Sequence, residues 1–321
     1  MSLLMDELKQ ESINKIEILK MELGKSLCTR YNICIFVCGS LGRFEMSHDS
    51  DLDLFFIMMS SDEFRKISEF KLDKYCFFSK VYEISKVLKY KEPSKNGHYW
   101  DFISKHNLLD IGSREEDYNN SFTARMLLML ESKPIFNILA YNQLVKEVVN
   151  KYFIDYDEHS EEFFPLYLMN DILRYWYTLT LNYEYRRDEA DEENKKYWKR
   201  LKLKYARLIT CFSMLACMYK NKVTPAYVMD CINMTPFERL EKIPTIFSEH
   251  TDELKSTIDK IKVEYEWFLR LRQEDPTWWN QGSNKQMAWM QAQKFHQIVI
   301  HDLMGLVAKN NTNLRDRSDV Y

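Results

Sequence analysis

Between residues 3 and 29, Leu4, Leu8, Ile13, Ile16, Leu19 and Leu23 recur at mostly three- and four-residue spacing, with Lys and Glu between them. That period predicts an amphipathic helix. Ile33 to Cys38 is a short apolar run that stops at Gly39, the pattern of a buried strand. Asp51-Leu52-Asp53-Leu54-Phe55-Phe56-Ile57 reads as a second strand, and Asp62 is placed to cap a helical segment reaching about Tyr90. Lys91-Glu92-Pro93-Ser94-Lys95-Asn96-Gly97 breaks the pattern. From Phe122 the chain reads as helical almost to its end. Pro134, Pro165, Pro225, Pro236, Pro244 and Pro276 stand as separators between helices. The segment Tyr185 to Arg200 reads as including an exposed loop, and the stretch after Asn310 as a frayed tail. These elements predict a small α/β part followed by a helical part.

Composition sharpens this picture. Only 7 of 321 residues are glycine, against about 7% in an average protein, so a largely helical chain with few tight turns is expected. The charges nearly cancel, with 45 basic and 48 acidic residues. That balance lacks the basic field of a general nucleic-acid binder. Seven cysteines show no C-x-x-C spacing, which argues against a disulfide framework or a zinc site. No apolar run is long enough to span a bilayer, and the first residues lack the features of a secretory signal. A cytoplasmic protein without a membrane partner is expected.

Two of the scarce glycines, Gly39 and Gly42, fall together in Cys38-Gly39-Ser40-Leu41-Gly42-Arg43-Phe44-Glu45, shortly before Ser50-Asp51-Leu52-Asp53-Leu54. On a strand, positions i and i+2 share a face, so Asp51 and Asp53 would stand side by side. Two adjacent carboxylates repel unless a cation joins them, and Mg²⁺ takes one or two carboxylates together with phosphate oxygens. The backbone at Gly39 and Gly42 and the Ser40 hydroxyl would then hold the phosphates of a nucleoside triphosphate, since glycine permits close backbone approach. Arg43 would neutralise phosphate, or pair with Glu45 or Asp51 and brace the turn. The plainer alternative makes Asp51 and Asp53 the polar positions of a half-exposed strand, but the whole arrangement is much rarer than D-x-D alone.

The stretch from Gly39 to Leu54 resembles the signature of the nucleotidyltransferase superfamily with the polymerase-β-type fold. Its G-S-L-G-R-x-E…S-D-L-D-L form is similar to the branch containing the uridylyltransferase that modifies PII signalling proteins. Segments around Gly112–Asp117, Phe122–Leu128, Leu130-Glu131-Ser132, Asn170–Trp176 and Lys202–Arg207 resemble the same group. The resemblance implies an α+β protein: a nucleotidyltransferase domain with a mixed sheet over residues 1–120, then a larger all-helical bundle over 121–321. It implies that Asp51 and Asp53 hold Mg²⁺, two ions being expected, and that Gly39 and Ser40 hold the triphosphate. It also implies a third carboxylate on a later strand, for which Asp110 and Asp101 are the candidates.

In the helical part Arg200, Lys204 and Arg207 recur on one helical face, and Arg174 lies beside Trp176. Lys204 and Arg207 are the candidates for contacting nucleotide; the alternative is a solvated or ion-paired basic face. The aromatic residues of these helices, among them Tyr175, Trp176, Trp278, Trp279 and Trp289, read as core. His48 lies in the motif loop, and the other histidines lack ligand spacing. The activity expected is transfer of a nucleoside monophosphate from an NTP to an acceptor, a protein or small molecule being favoured over RNA. Competing expectations are a nucleotide-binding regulatory protein without transfer, and a defence or toxin transferase acting on RNA or forming a nucleotide messenger.

Overall fold

The computed structural model describes residues 3–27, 32–47, 50–69, 71–93, 97, 100–112, 120–160, 163–185, 193–274 and 276–311. Cys28, His48, the 113–117 part of the family-like segment and the tail after 311 lie outside the described residues. The structure is mostly helical, with one four-stranded mixed sheet. It divides into two compact units. Among the described residues, one comprises 3–155 and the short segment Pro225–Thr235, and the other comprises Tyr156–Thr224 and 236–311.

The first unit opens with α1 (Leu3–Ser26), whose buried stripe is Leu4, Leu8, Ser12, Ile16, Leu19 and Leu23. Ser12, rather than Ile13, occupies the stripe because its hydroxyl accepts the Met46 N–H at 3.0 Å. Then come β1 (Ile33–Val37), the single turn α2 (Gly39–Gly42), β2 (Leu54–Met58), α3 (Ser61–Glu69) and α4 (Lys71–Val87). β3 (Phe102–Ser104), α5 (Lys105–Leu109), α6 (Ser121–Glu131), β4 (Lys133–Phe136) and α7 (Ile138–Lys151) complete the series. The sheet order is β3-β2-β1-β4; β1 pairs antiparallel with β2 and β4, and β2 pairs parallel with β3.

β1 is buried at every position, as a central strand covered on both faces must be. On one face Phe56 meets Phe77, Phe78, Trp100 and Phe102 at centroid distances of 5.0–6.4 Å. On the other, Phe36 stacks on Phe55 at 5.4 Å and meets Tyr141 of α7 edge-on.

Several expected boundaries move. β2 begins at Leu54, so Asp51 and Asp53 precede the strand rather than lie in it. The helical segment after residue 60 is two helices, and Ser60, not Asp62, caps the first by accepting the Glu63 N–H. Pro134 lies inside β4, which interrupts the expected run of helix. β4 is an edge strand, where a missing N–H costs no ladder bond. Asp110 is not on a strand: it terminates α5.

The other unit contains only helical elements among its described residues: α8 (Tyr156–His159), α9 (Leu166–Tyr185), α10 (Glu193–Lys202), α11 (Leu208–Met218), α13 (Pro236–Ile246), α14 (Thr251–Leu271), α15 (Gly282–Gln297) and α16 (Met304–Lys309). Helix α12 (Pro225–Asn233) falls between α11 and α13 in the chain but belongs to the sheet unit. Every residue of α11 is buried, which fits a helix apolar on all sides at the centre of its unit. Pro225 and Pro236 begin helices, where the missing N–H is harmless. Pro244 departs from the expected punctuation by lying inside α13. Of the segment Tyr185 to Arg200, expected to include an exposed loop, residues 193–200 are helical and 186–192 lie outside the described residues. Two π-turns, Leu203–Arg207 and Ile298–Leu303, join α10 to α11 and α15 to α16. Among the described residues no helix is long and apolar enough to cross a membrane.

Phe56 is fully buried and meets four other rings. Phe56→Ala is expected to lower the stability of the sheet unit by about 3–5 kcal/mol, measured by urea unfolding of the full chain.

Candidate functional site

The β1–β2 ladder runs one step past its last strand pair, because the Cys38 N–H donates to the Asp53 carbonyl at 3.0 Å. Cys38 therefore sits opposite Asp53, and the next residue must leave the ladder. Gly39 does so with φ +66°, a left-handed conformation that glycine adopts without penalty. A Cβ at Gly39 would collide with the Asp53 carboxylate, so the glycine is also what lets that carboxylate lie against the turn. The chain then makes one helical turn, closed by Arg43 N–H to the Gly39 carbonyl at 3.1 Å and Glu45 N–H to the Ser40 carbonyl at 2.7 Å. Phe44 leaves that turn at φ +62°. A bulky residue there pays roughly 1–2 kcal/mol, and such strain clusters at functional sites.

Glu131, the last residue of α6, holds this turn from behind. Its Oε1 accepts the Gly39 N–H at 3.1 Å and its Oε2 accepts from Arg43 Nη1 at 2.7 Å. Arg43 Nε donates in turn to Glu45 at 3.0 Å. A Cβ at Gly42 would collide with the Glu131 carbonyl oxygen. Both side chains of the Arg43–Glu131 pair are buried. Of the two roles anticipated for Arg43, the buried guanidinium takes the bracing one, paired with Glu45 and Glu131. The Gly39 amide, expected on a phosphate, is taken by Glu131.

The amides that remain are those of Ser40 and Leu41, which have no acceptor among the described residues. They belong to the first turn of α2, where N–H groups have no intrahelical partner. Ser40 is half-buried beside them. Asp51 and Asp53 are half-buried, with Leu52 between them buried in the core, so the alternation expected for a shared face persists ahead of β2. Asp51 bridges to Lys91 through its backbone. Among the described residues no group of three or more His, Cys, Asp and Glu is arranged to hold a metal. The chemistry of the donor set, the Asp53 carboxylate against the turn with Asp51 two residues before it, is of the oxygen-ligand kind that Mg²⁺ takes.

The two candidates for a third carboxylate part company here. The parallel pairing places Phe102 level with Phe56, so Asp101, one residue before β3, is level with Phe55 at the Asp53 end of the sheet. Asp101 is exposed and paired with Lys74 at 2.6 Å. Asp110 follows α5, beyond the opposite end of β3. Five strand steps at about 3.3 Å separate Asp53 from the level of Ser104, roughly 17 Å. Asp110 is therefore at the end of a short helix rather than on a strand beside Asp53, and its carbonyl accepts from Arg125 at 3.1 Å.

Arg125 also reaches the Leu108 carbonyl at 3.2 Å and the Tyr152 hydroxyl at 3.0 Å. It ties the start of α6 to the 105–110 segment, as Glu131 ties its end to the turn. Sequence reasoning missed both roles. The only signal was their presence in the family-like segments, with partners far away in the chain.

Lys204 and Arg207 belong to the helical unit, in the π-turn 203–207, and are half-buried. Arg200 lies over the Trp289 ring at 3.3 Å, and Arg174 is 3.8 Å from Asp171. Trp279 is core as expected, whereas Tyr177 and Tyr185 are exposed.

Comparison of the chain with protein-family models, with curated proteins and with solved structures returns no match.

A carboxylate accepts at both oxygens, whereas an amide presents a donor at one. Glu131→Gln must therefore set N–H against either the Gly39 amide or Arg43. It is expected to destabilise the sheet unit by about 1–3 kcal/mol and to speed amide exchange at Gly39, read by hydrogen–deuterium exchange. Gly42→Ala is expected to cost about 1–3 kcal/mol through its clash with the Glu131 carbonyl, measured as a shift of the urea midpoint.

Proposed function

We propose that the chain is an Mg²⁺-dependent nucleotidyltransferase that moves a nucleoside monophosphate from an NTP to an acceptor hydroxyl and releases pyrophosphate. The observation that carries this reading is the Asp53 carboxylate lying against a left-handed Gly39, next to two amides without acceptors among the described residues. That juxtaposition suits a phosphate bound against backbone N–H groups with its counter-cation on the carboxylates. Ser40 and the Ser40 and Leu41 amides would orient the phosphate chain, and Asp51 and Asp53 would hold the metal.

Charge accounting strengthens the requirement for a cation. Arg43 is already offset by Glu45 and Glu131, so no positive side chain of the turn is left for phosphate. Mg²⁺ bound here would neutralise the phosphates and polarise the reacting oxygens. The protein's own contribution is positioning: Glu131 and Arg43 fix the turn, and Gly39 lets Asp53 approach it. A protein or small-molecule acceptor is favoured over RNA by the balanced overall charge. A cytoplasmic location belongs to the same reading.

A second reading, nucleotide binding without transfer, is favoured by one observation. The remaining candidate for a third carboxylate at this end of the sheet, Asp101, is exposed and paired with Lys74.

Incubation of the full chain with each α-labelled NTP, with and without cell lysate, separates the readings. Label on a protein, RNA or small product identifies the acceptor class. Asp51→Asn with Asp53→Asn is expected to reduce labelling at least about 100-fold, and wild-type labelling by that double variant would sink the assignment. Nucleotide binding by calorimetry without pyrophosphate release selects the second reading.

A further inference from the structure

Helix α9 has two faces of opposite character. Leu168, Met169, Ile172, Tyr175 and Trp176 are buried and pack it into the helical unit. Trp176 meets Phe212 of α11 edge-on at 5.8 Å, which fixes the rotation of α9 about its axis. The outer side carries Tyr177, Leu181 and Tyr185, which are 62%, 68% and 87% exposed. Their spacing of four keeps them on one side of the helix, so they form an apolar stripe about 12 Å long. Large apolar side chains exposed singly need no explanation, whereas a contiguous patch marks an interaction surface.

The residues around the stripe indicate what covers it. Counted about Leu179, Tyr177 and Leu181 occupy symmetric positions, and so do Arg174 and Glu184, both exposed. Two copies of α9 lying antiparallel, with a two-fold axis level with Leu179, therefore set Tyr177 against the partner's Leu181. The same register sets Arg174 against the partner's Glu184, a charge of opposite sign. Each contact occurs twice, as an isologous interface requires. Positions 174, 177, 181 and 184 alternate steps of three and four, the spacing that keeps a seam facing a neighbouring helix. Arg174 keeps 47% of its side chain exposed while lying 3.8 Å from Asp171.

The area is sufficient for such a pair. At roughly 200 Å² for a large side chain, the three stripe residues offer about 400 Å² per copy. Two copies bury about 800 Å² from these residues, and the exposed Arg174, Asn182 and Glu184 at the rim bring the total to the ~1,000 Å² that a specific interface needs.

We propose that the exposed stripe of α9 is a homodimer interface, in which α9 packs antiparallel on α9 of a second copy of the chain through Tyr177, Leu181 and Tyr185. At this size the dimer dissociates in the micromolar range. The interface stands apart from the reading of Asp51 and Asp53, and its test reads association rather than transfer.

Sedimentation equilibrium of the full chain across the micromolar range tests this. The wild type is expected to pass reversibly from monomer to dimer as concentration rises, without larger species. Leu181→Glu places two carboxylates in the seam and should weaken the dimer at least about tenfold. Its urea midpoint should stay near that of the wild type, because Leu181 is exposed in the monomer. Leu139→Glu changes an exposed leucine of α7 and should leave association unchanged. Arg174→Glu and Glu184→Arg each set like charges together twice and should each weaken the dimer about tenfold. Combining Arg174→Glu with Glu184→Arg restores opposite charges and should recover wild-type association. A monomer at every concentration would overturn the proposal and leave the stripe to a different protein. So would a dimer indifferent to Leu181→Glu, an equal loss in Leu139→Glu, or no recovery in the double exchange.

Discussion

The carboxylate of Glu131 does two jobs that no other side chain in its place would do together. It accepts the amide of Gly39 and the guanidinium of Arg43, while its own carbonyl leaves no room for a side chain at Gly42. Because these bonds are buried, leaving any of them unmade would cost the desolvation of a polar group. The turn after β1 therefore has one conformation, and that conformation decides where Asp53 and the Ser40 and Leu41 amides lie. The two glycines serve different ends: Gly39 supplies a backbone angle and makes room for a carboxylate, whereas Gly42 makes room for α6.

Helix α6 is in this sense the strut of the sheet unit. Arg125 fastens its N-terminal half to the carbonyls of Leu108 and Asp110, and Glu131 fastens its end to the turn. The strained left-handed Phe44 is held where the strut, the turn and the edge strand β4 converge, with Lys133 over its ring at 5.3 Å. Such strain persists only where the surroundings over-determine the backbone, and here two buried ion pairs and a packed helix end supply that constraint. The helical unit makes the complementary choice. It matches Lys294 with Glu264, whereas Lys204 and His296 have no carboxylate within ion-pair distance among the described residues.

Much of this was legible in the residues themselves. The apolar stripe of α1, the buried run of β1, the Gly39-Ser40 turn and the Asp51–Asp53 pair are local patterns, and each is set by residues within a few positions of one another. Where local patterning misled, the cause was an interaction from elsewhere in the chain. Ser12 displaced Ile13 from the stripe of α1 because the Met46 amide needs an acceptor. Pro134 looked like a helix boundary because nothing nearby reveals that β4 takes an edge position. Asp110 looked like a strand residue because Leu108 and Leu109 are apolar, but Arg125 holds the carbonyls of Leu108 and Asp110 at the end of a short helix.

Sequence alone determined that the chain is largely helical, that one turn concentrates its rare glycines, and that two carboxylates follow that turn at a shared-face spacing. These are properties of composition and of periods shorter than ten residues. Only the tertiary structure decided that Arg43 braces the turn, that Glu131 is its partner, and that Asp101 lies at the Asp53 end of the sheet whereas Asp110 ends a short helix. It also decided that Lys204 has no ion-pair partner among the described residues. The physical reason is common to all four. Each depends on which groups meet across long loops, and a buried charge is defined by its partner rather than by its neighbours in sequence.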